Sequence, residues 1–250
     1  MKVPHYAAVY VIPFLLLLAG SFLLQAIAQK MSSGVPRALI HAVLGVSISA
    51  GIFLTIRSSL AALSLEPIRF GGFPSLVCGL VVGLGVSAAS GIAFAFLRGY
   101  PLNFAELFSD LHVSVLGNIY PALCEEIVFR GGIVGATAQM AGTAAGLASG
   151  SVPFGVLHIF GGLFGQTVTV AQVIGISLAG LMLSLVYMRF GIWGAFGCHL
   201  AWNSFVGGWV RAYGAENRAA VMSALEGAWT TCLVLAAVSV TLLAFQWWLR

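Results

Sequence analysis

Long apolar runs separated by short polar breaks set the pattern of this chain. A hydrocarbon core of about 30 Å is crossed by about 20 apolar residues in a helix. Eight runs of that kind follow one another, at roughly 8–28, 38–57, 75–97, 111–130, 139–160, 168–189, 191–210 and 227–249. The pattern predicts an all-α fold, a polytopic integral membrane protein of about eight transmembrane helices. Arg57, Arg98 and Arg189 stand at run ends, where a long side chain can reach the headgroups. The last run closes on Trp247-Trp248-Leu249-Arg250, an aromatic pair followed by a cation. Short breaks separate the fifth, sixth and seventh runs, so those helices are expected to pack as antiparallel neighbours.

The connectors differ in character. Residues 98–110 mix aromatic and charged side chains, as a segment lying on the membrane interface would. Residues 211–226 read as a short surface helix, and 161–167 as a glycine-rich linker. Basic residues divide almost evenly between the two sides of an eight-span topology and set no orientation.

Composition narrows the class further. The 250 residues are 60% hydrophobic and only 7% charged, against about 25% charged in soluble domains. A soluble surface cannot be built from so few charges, and a single membrane domain over 1–250 accounts for the whole chain. The net charge of +4 is scattered singly, which argues against nucleic-acid binding and leaves the bilayer as the partner of the basic residues. Cys78, Cys124, Cys198 and Cys232 form neither a CxxC pair nor a zinc spacing, and read as buried free thiols. The 31 glycines suit close helix packing in lipid.

Against this apolar background, three clusters place ionisable or amide groups inside predicted spans: Glu125-Glu126-x-x-x-Arg130, Phe154-x-x-x-His158 and His199-x-x-x-Asn203. An ionisable group in hydrocarbon costs roughly 2.5–3.5 kcal/mol on insertion scales, so each is a functional candidate. Glu126 and Arg130 share a helix face at four residues' spacing, in the favourable Glu-before-Arg order, and are expected to pair. Glu125 points about 100° away around the helix. Without a local partner, its carboxyl is expected to titrate high enough to take a proton from water. His158 follows Phe154 by one turn, with Pro153 just before it. His199 and Asn203 share one face of the seventh span. Taken together, a carboxylate, two imidazoles and an amide supply a base, donors and an oxyanion clamp. They are expected to surround one cavity lined by Phe154 and small residues such as Gly155 and Gly197.

Other chemistries can be weighed on the same residues. Glu125, His158 and His199 could ligate zinc. No HExxH occurs, the ligands would come from three helices, and with Glu126 consumed by Arg130 no acid remains to orient the histidines. The expectation is no metal and no cofactor. No GxSxG elbow supports a serine hydrolase. A transporter, or a silent membrane scaffold, could use the same buried Glu and His groups in a proton relay or as helix ties. A transporter would, however, be expected to show internal repeats, and none is visible.

The segments CEEIVFRG (124–131), FGVLH (154–158) and HLAWN (199–203) together resemble the CPBP family, also called Abi or CAAX-protease-like. These are intramembrane glutamic endopeptidases related to the Rce1 CAAX prenyl protease. The resemblance covers residues 110–206. It implies that Glu125 activates water with help from His158, that His199 and Asn203 stabilise the oxyanion, and that Glu126 and Arg130 form a supporting pair, with Phe154 alongside. It also implies a membrane-anchored protein or peptide substrate, prenylated or C-terminally anchored, and a multi-pass protein of the cell membrane.

Overall fold

A computed structural model describes residues 3–30, 34–99, 103–159, 168–213 and 229–248. The linker 161–167 lies outside them, as do most of 211–226 and the terminal residues 249–250. Among the described residues every regular element is a helix. In chain order these are α1 (Val3–Tyr10), α2 (Ile12–Gln29), α3 (Val35–Ala62), α4 (Phe73–Arg98), α5 (Phe104–Phe108) and α6 (Leu111–Glu125). A π-helical segment, Glu126–Val134, then leads into α7 (Gly135–Ala141), α8 (Thr143–Leu157), α9 (Val170–Ala212) and α10 (Trp229–Trp248).

This is an all-α membrane protein. The helices α3, α4 and α9 are each long and apolar enough to cross a bilayer, and shorter apolar stretches lie at Ile12–Leu24, Thr143–Leu157 and Val234–Ala244. The distribution of side chains is inverted relative to a soluble domain. Leu54, Val81 and Phe96 are 60%, 63% and 86% exposed, while Glu126 and Arg130 are fully buried. Apolar side chains face outward because the surrounding solvent is hydrocarbon, and the charges sit where other protein groups can satisfy them.

The long helix α9 is two antiparallel arms. Gly191 has φ 74° and ψ −169°, which interrupts the helix in a conformation that L side chains rarely adopt. The connection between α3 and α4 satisfies the backbone on both sides of this turn. Ile192 and Trp193 donate their N–H groups to the Arg69 and Phe70 carbonyls, both at 2.9 Å. The Arg69 guanidinium donates in turn to the carbonyls of Met188 at 3.1 Å and Arg189 at 3.4 Å. Groups left unpaired by two helix ends are thus closed by one short loop. The turn falls where the sequence predicts the break between the sixth and seventh spans. The start of α9 is equally local in origin: Thr169 and Gln172 form a reciprocal capping box.

The second arm of α9 is pressed against α4. A Cβ at Gly83 would overlap the Cys198 carbonyl oxygen, so only glycine lets these backbones meet. This contact sits one residue before His199 and fixes the depth of that imidazole in the bundle.

One boundary differs from the sequence pattern. The fourth span, expected over 111–130, runs on through the π segment and α7 to Ala141, and α8 begins at Thr143 rather than 139. The reversal between them is Gly142, at φ 90° and ψ 164°. Widened turns keep residues 126–134 helical past the charged cluster, with the Gly135 N–H bonding to the Arg130 carbonyl five residues back.

Candidate active site

The π segment opens at Glu126, and π turns inside helices are concentrated at functional sites. Glu126 and Arg130 form a fully buried ion pair, with Arg130 Nη1 donating to Glu126 Oε1 at 3.1 Å. The other terminal nitrogen, Nη2, donates to the Gly180 carbonyl of α9 at 3.1 Å. The guanidinium also lies over the Phe154 ring, 4.4 Å from its centroid. A cation held this way has charge, hydrogen-bond and π partners away from water.

Glu126 has a second partner that the sequence reading lacked. His199 Nδ1 lies 2.7 Å from the same Oε1. The ionised carboxylate accepts and cannot donate, so Nδ1 carries the proton and Nε2 is the free nitrogen of the neutral ring. Nε2 faces Glu125, 3.8 Å from its Oε2. The imidazole therefore sits between the two adjacent glutamates, one carboxylate on each nitrogen. Glu126 Oε2 has no hydrogen-bond partner among the described residues. The expectation that pairing with Arg130 would leave no acid to orient a histidine is corrected: one carboxylate oxygen accepts from both Arg130 and His199.

His158 occupies the C-cap of α8. Its Nδ1 is 2.7 Å from the Phe154 carbonyl, one turn earlier. A carbonyl only accepts, so this contact fixes the proton on Nδ1 and leaves Nε2 as the basic nitrogen. Phe154 is the hub of the cluster. Its ring meets His158 edge-on at 4.9 Å and His199 at 5.9 Å, while its π face carries Arg130.

Glu125, His158, His199 and Asn203 all line one cavity of about 90 Å³, with Phe154 beside them. At ~10–15 Å³ per water, it has room for several waters or for the carbonyl of a peptide. Glu125 is 20% exposed at its side chain, against 0% for Glu126, and only the first glutamate lines the cavity. Among the described residues the Asn203 amide makes no hydrogen bond, which leaves its donors available to a ligand. Also among these residues, no group of three or more His, Cys, Asp or Glu side chains is gathered closely enough to hold a metal ion.

The rest of the lining departs from expectation. Gly155 and Gly197 do not face the cavity: Gly155 packs on Ser177 and the Val173 carbonyl, and Gly197 on Leu76 of α4. The small lining residues are Gly175 and Ala179 on the first arm of α9, and Met182, Leu183 and Ile176 complete an apolar wall. A helical spacing of three and four residues links 175, 179, 182 and 183, a signal that was available in the sequence. Trp202 lines the cavity three residues after His199, on the same face. Thr231 and Leu235 of α10 close the remaining side, and no motif marks them.

Residues 107–205 match the family described as type II CAAX prenyl endopeptidase Rce1-like. Over these residues the chain is similar to the Rce1-like family. The matched segment runs from α5 into the second arm of α9 and contains every charged, imidazole and amide side chain of the cavity. Similarity to this Rce1-like family indicates CAAX-protease-type endopeptidase activity, exercised on a membrane-associated protein in the setting of a lipid bilayer. No curated protein and no solved structure matches the chain.

Proposed function

We propose that this protein is an intramembrane endopeptidase of the cell membrane, acting by a glutamate/histidine mechanism on a peptide bond of a membrane-anchored protein or peptide. The whole of residues 1–250 serves as one membrane domain around the 110–206 core. The observation that carries the reading is that Glu125, His158, His199 and Asn203 line one small cavity among apolar helices.

Glu125, helped by the free Nε2 of His158, takes a proton from a cavity water. The oxygen adds to the scissile carbonyl carbon, and the carbonyl oxygen takes the negative charge. Asn203 donates its amide N–H to that oxygen. His199 can donate from Nε2 only as the imidazolium, because Nδ1–H is engaged by Glu126. Glu126 lies against the Nδ1 side of that ring, placed as the acid hydrogen-bonded to the far nitrogen is in hydrolase triads. Collapse of the tetrahedral adduct breaks the C–N bond, and the proton held by Glu125 passes to the leaving amine. No covalent intermediate is formed, and the proton that leaves water ends on the new amine. The small volume, walled in part by Phe154, Trp202 and Leu235, holds few waters around the reacting carbonyl.

The route is metal-independent in this reading. Glu125, His158 and His199 are spread around the cavity rather than gathered on one point. Phe154 and Arg130 act by position: the guanidinium holds the ring, and the ring spaces the two imidazoles. The test is mass spectrometry of membrane peptides from cells carrying the protein or its Glu125→Gln variant. New C-termini that appear only with the active protein support the reading. Identical peptide sets from the two would refute it.

A further inference from the structure

A polar seam leaves the catalytic cavity along the contact of α6 with the second arm of α9. The two run antiparallel: Glu125 lies 3.8 Å from His199 at one end, and Ser114 Oγ donates to the Ser204 carbonyl at 3.1 Å toward the other. On α9, His199, Asn203, Gly207 and Arg211 recur every fourth residue and share one face. The last three are half-buried. On α6, Ser114, Asn118 and Glu125 stand at spacings of four and seven, also on one face, and all three are half-buried. Only 7% of this chain is charged, so a run of polar groups continuous with the site needs a use.

Arg211 stands at the far end of the seam, and its guanidinium has a direction. Nε donates to Ser109 Oγ at 3.2 Å and Nη2 to the Ser109 carbonyl at 2.5 Å, which anchors two of the three nitrogens. Nη1 makes no hydrogen bond among the described residues, and it lies 3.8 Å from where a Cβ on Gly207 would stand. Two anchored nitrogens fix the planar group, and the third faces back along the seam toward Asn203. The anchor is neutral. Glu106 Oε2 accepts from Ser109 Oγ at 3.2 Å, and among the described residues no carboxylate forms an ion pair with Arg211. Gly207 keeps the path open, because its missing side chain leaves a notch with Ser114 Oγ 3.5 Å from the same Cβ position. An oriented guanidinium with a spare nitrogen is suited to an oxyanion such as a carboxylate.

We propose that Arg211 is a specificity residue of the endopeptidase and reads a carboxylate on the substrate about three residues from the scissile carbonyl. The inference rests on the endopeptidase reading of the cavity at the seam's other end. Gly207 is one turn, about 6 Å, beyond Asn203. A carboxylate hydrogen-bonded to Nη1 adds about 3 Å. An extended chain covers that ~9 Å in about three residues at ~3.3 Å each. The carboxylate is that of an Asp or Glu side chain or of a free chain end, and the recognition chemistry is the same.

The experiment measures binding to the full chain in detergent, in its Glu125→Gln form so that nothing is cut. The probes are a labelled pentapeptide of alanine and leucine with a free C-terminal carboxylate, its C-terminal amide, and that amide with glutamate as its last residue. Fluorescence anisotropy gives each dissociation constant. The acid should bind about 10-fold tighter than the plain amide, the lower end for a hydrogen bond to a charged group. A glutamate amide that binds like the acid shows that any carboxylate serves, and one that binds like the plain amide assigns the seam to a chain end; both leave Arg211 as the reader. Arg211→Glu should reverse the preference and hold a lysine-bearing amide above the acid, which mere loss of structure cannot do. Arg98→Gln removes a cation at the end of α4, a helix that meets α9 at Gly194, Cys198 and Trp209, off this seam, and should leave the 10-fold difference intact. Gly207→Leu keeps every charge and fills the notch, so it should bring the acid to the amide's level even if the Arg211 variant fails to fold. Equal binding of acid and amide by protein that retains Arg211, an acid preference kept in Arg211→Glu, or a full preference kept in Gly207→Leu overturns the proposal. None of these readouts involves cleavage, so their failure is distinct from a failure of Glu125 as the base.

Discussion

Replacing Glu126 by Gln removes one charge from a pair in which both side chains are fully buried. Arg130 would keep its hydrogen bond to the Gly180 carbonyl and its place over Phe154, but no counter-charge within contact. Breaking a buried pair by removing one partner costs about 3–5 kcal/mol, because the remaining charge is uncompensated. For a chain of this size, 1 kcal/mol moves the melting temperature by about 2–4 °C, so the loss should be on the order of 6–20 °C. The neighbouring Glu125→Gln change removes a group that is 20% exposed and makes no hydrogen bond shorter than its 3.8 Å approach to His199, and should move the melting temperature by no more than about 2 °C. Two adjacent, chemically identical substitutions are therefore expected to differ several-fold in their effect on stability. The assay is intrinsic-fluorescence melting of the purified proteins in one detergent. The double change Glu126→Gln with Arg130→Met should recover most of the lost stability, since the unpaired cation goes with its partner. If Glu126→Gln melts within about 2 °C of wild type, Arg130 does not depend on Glu126 and the reasoning about this pair is wrong.

Other outcomes follow from the same geometry. Asn203→Ala should lower kcat by about 10²–10³-fold with little change in KM, the usual cost of removing one oxyanion donor, measured by steady-state cleavage of the identified peptide. Gly83→Val places a side chain against the Cys198 carbonyl, and should reduce both the yield of folded protein on size-exclusion chromatography and its melting temperature. Exhaustive chelation should leave the purified protein's cleavage rate unchanged; loss of activity that returns on adding zinc would replace the glutamate mechanism with a metal-assisted one.

The sequence and the structure agree where the physics is local. The four-residue spacing of Glu126 and Arg130 is a property of one helix turn, and the pair forms even though the turn is π rather than α. His199 and Asn203 reach one cavity for the same reason, as does the reversal at Gly191. What could not be read depends on chain segments far apart in sequence. The bond between Glu126 and His199 joins residues 73 apart and gives the second glutamate a job that spacing alone did not assign. The wall supplied by Thr231 and Leu235 comes from α10, which has no polar motif to announce it. The glycines were ambiguous by nature: Gly155 and Gly197 serve close helix contacts, while Gly175 faces the cavity, and composition does not separate the two uses. The π segment has no sequence signature either, since Glu126–Val134 reads as ordinary apolar helix around its charges.

The most direct test of the central claim is the turnover of purified wild type against purified Glu125→Gln on one membrane-peptide substrate, with the melting temperature of both recorded in the same detergent. The account predicts a loss of at least about 10²-fold in kcat for Glu125→Gln, since removing the water-activating base forfeits general-base catalysis worth about 10²–10⁴-fold, at an unchanged melting temperature. Turnover by Glu125→Gln within 10-fold of wild type, from protein that is equally well folded, would contradict it.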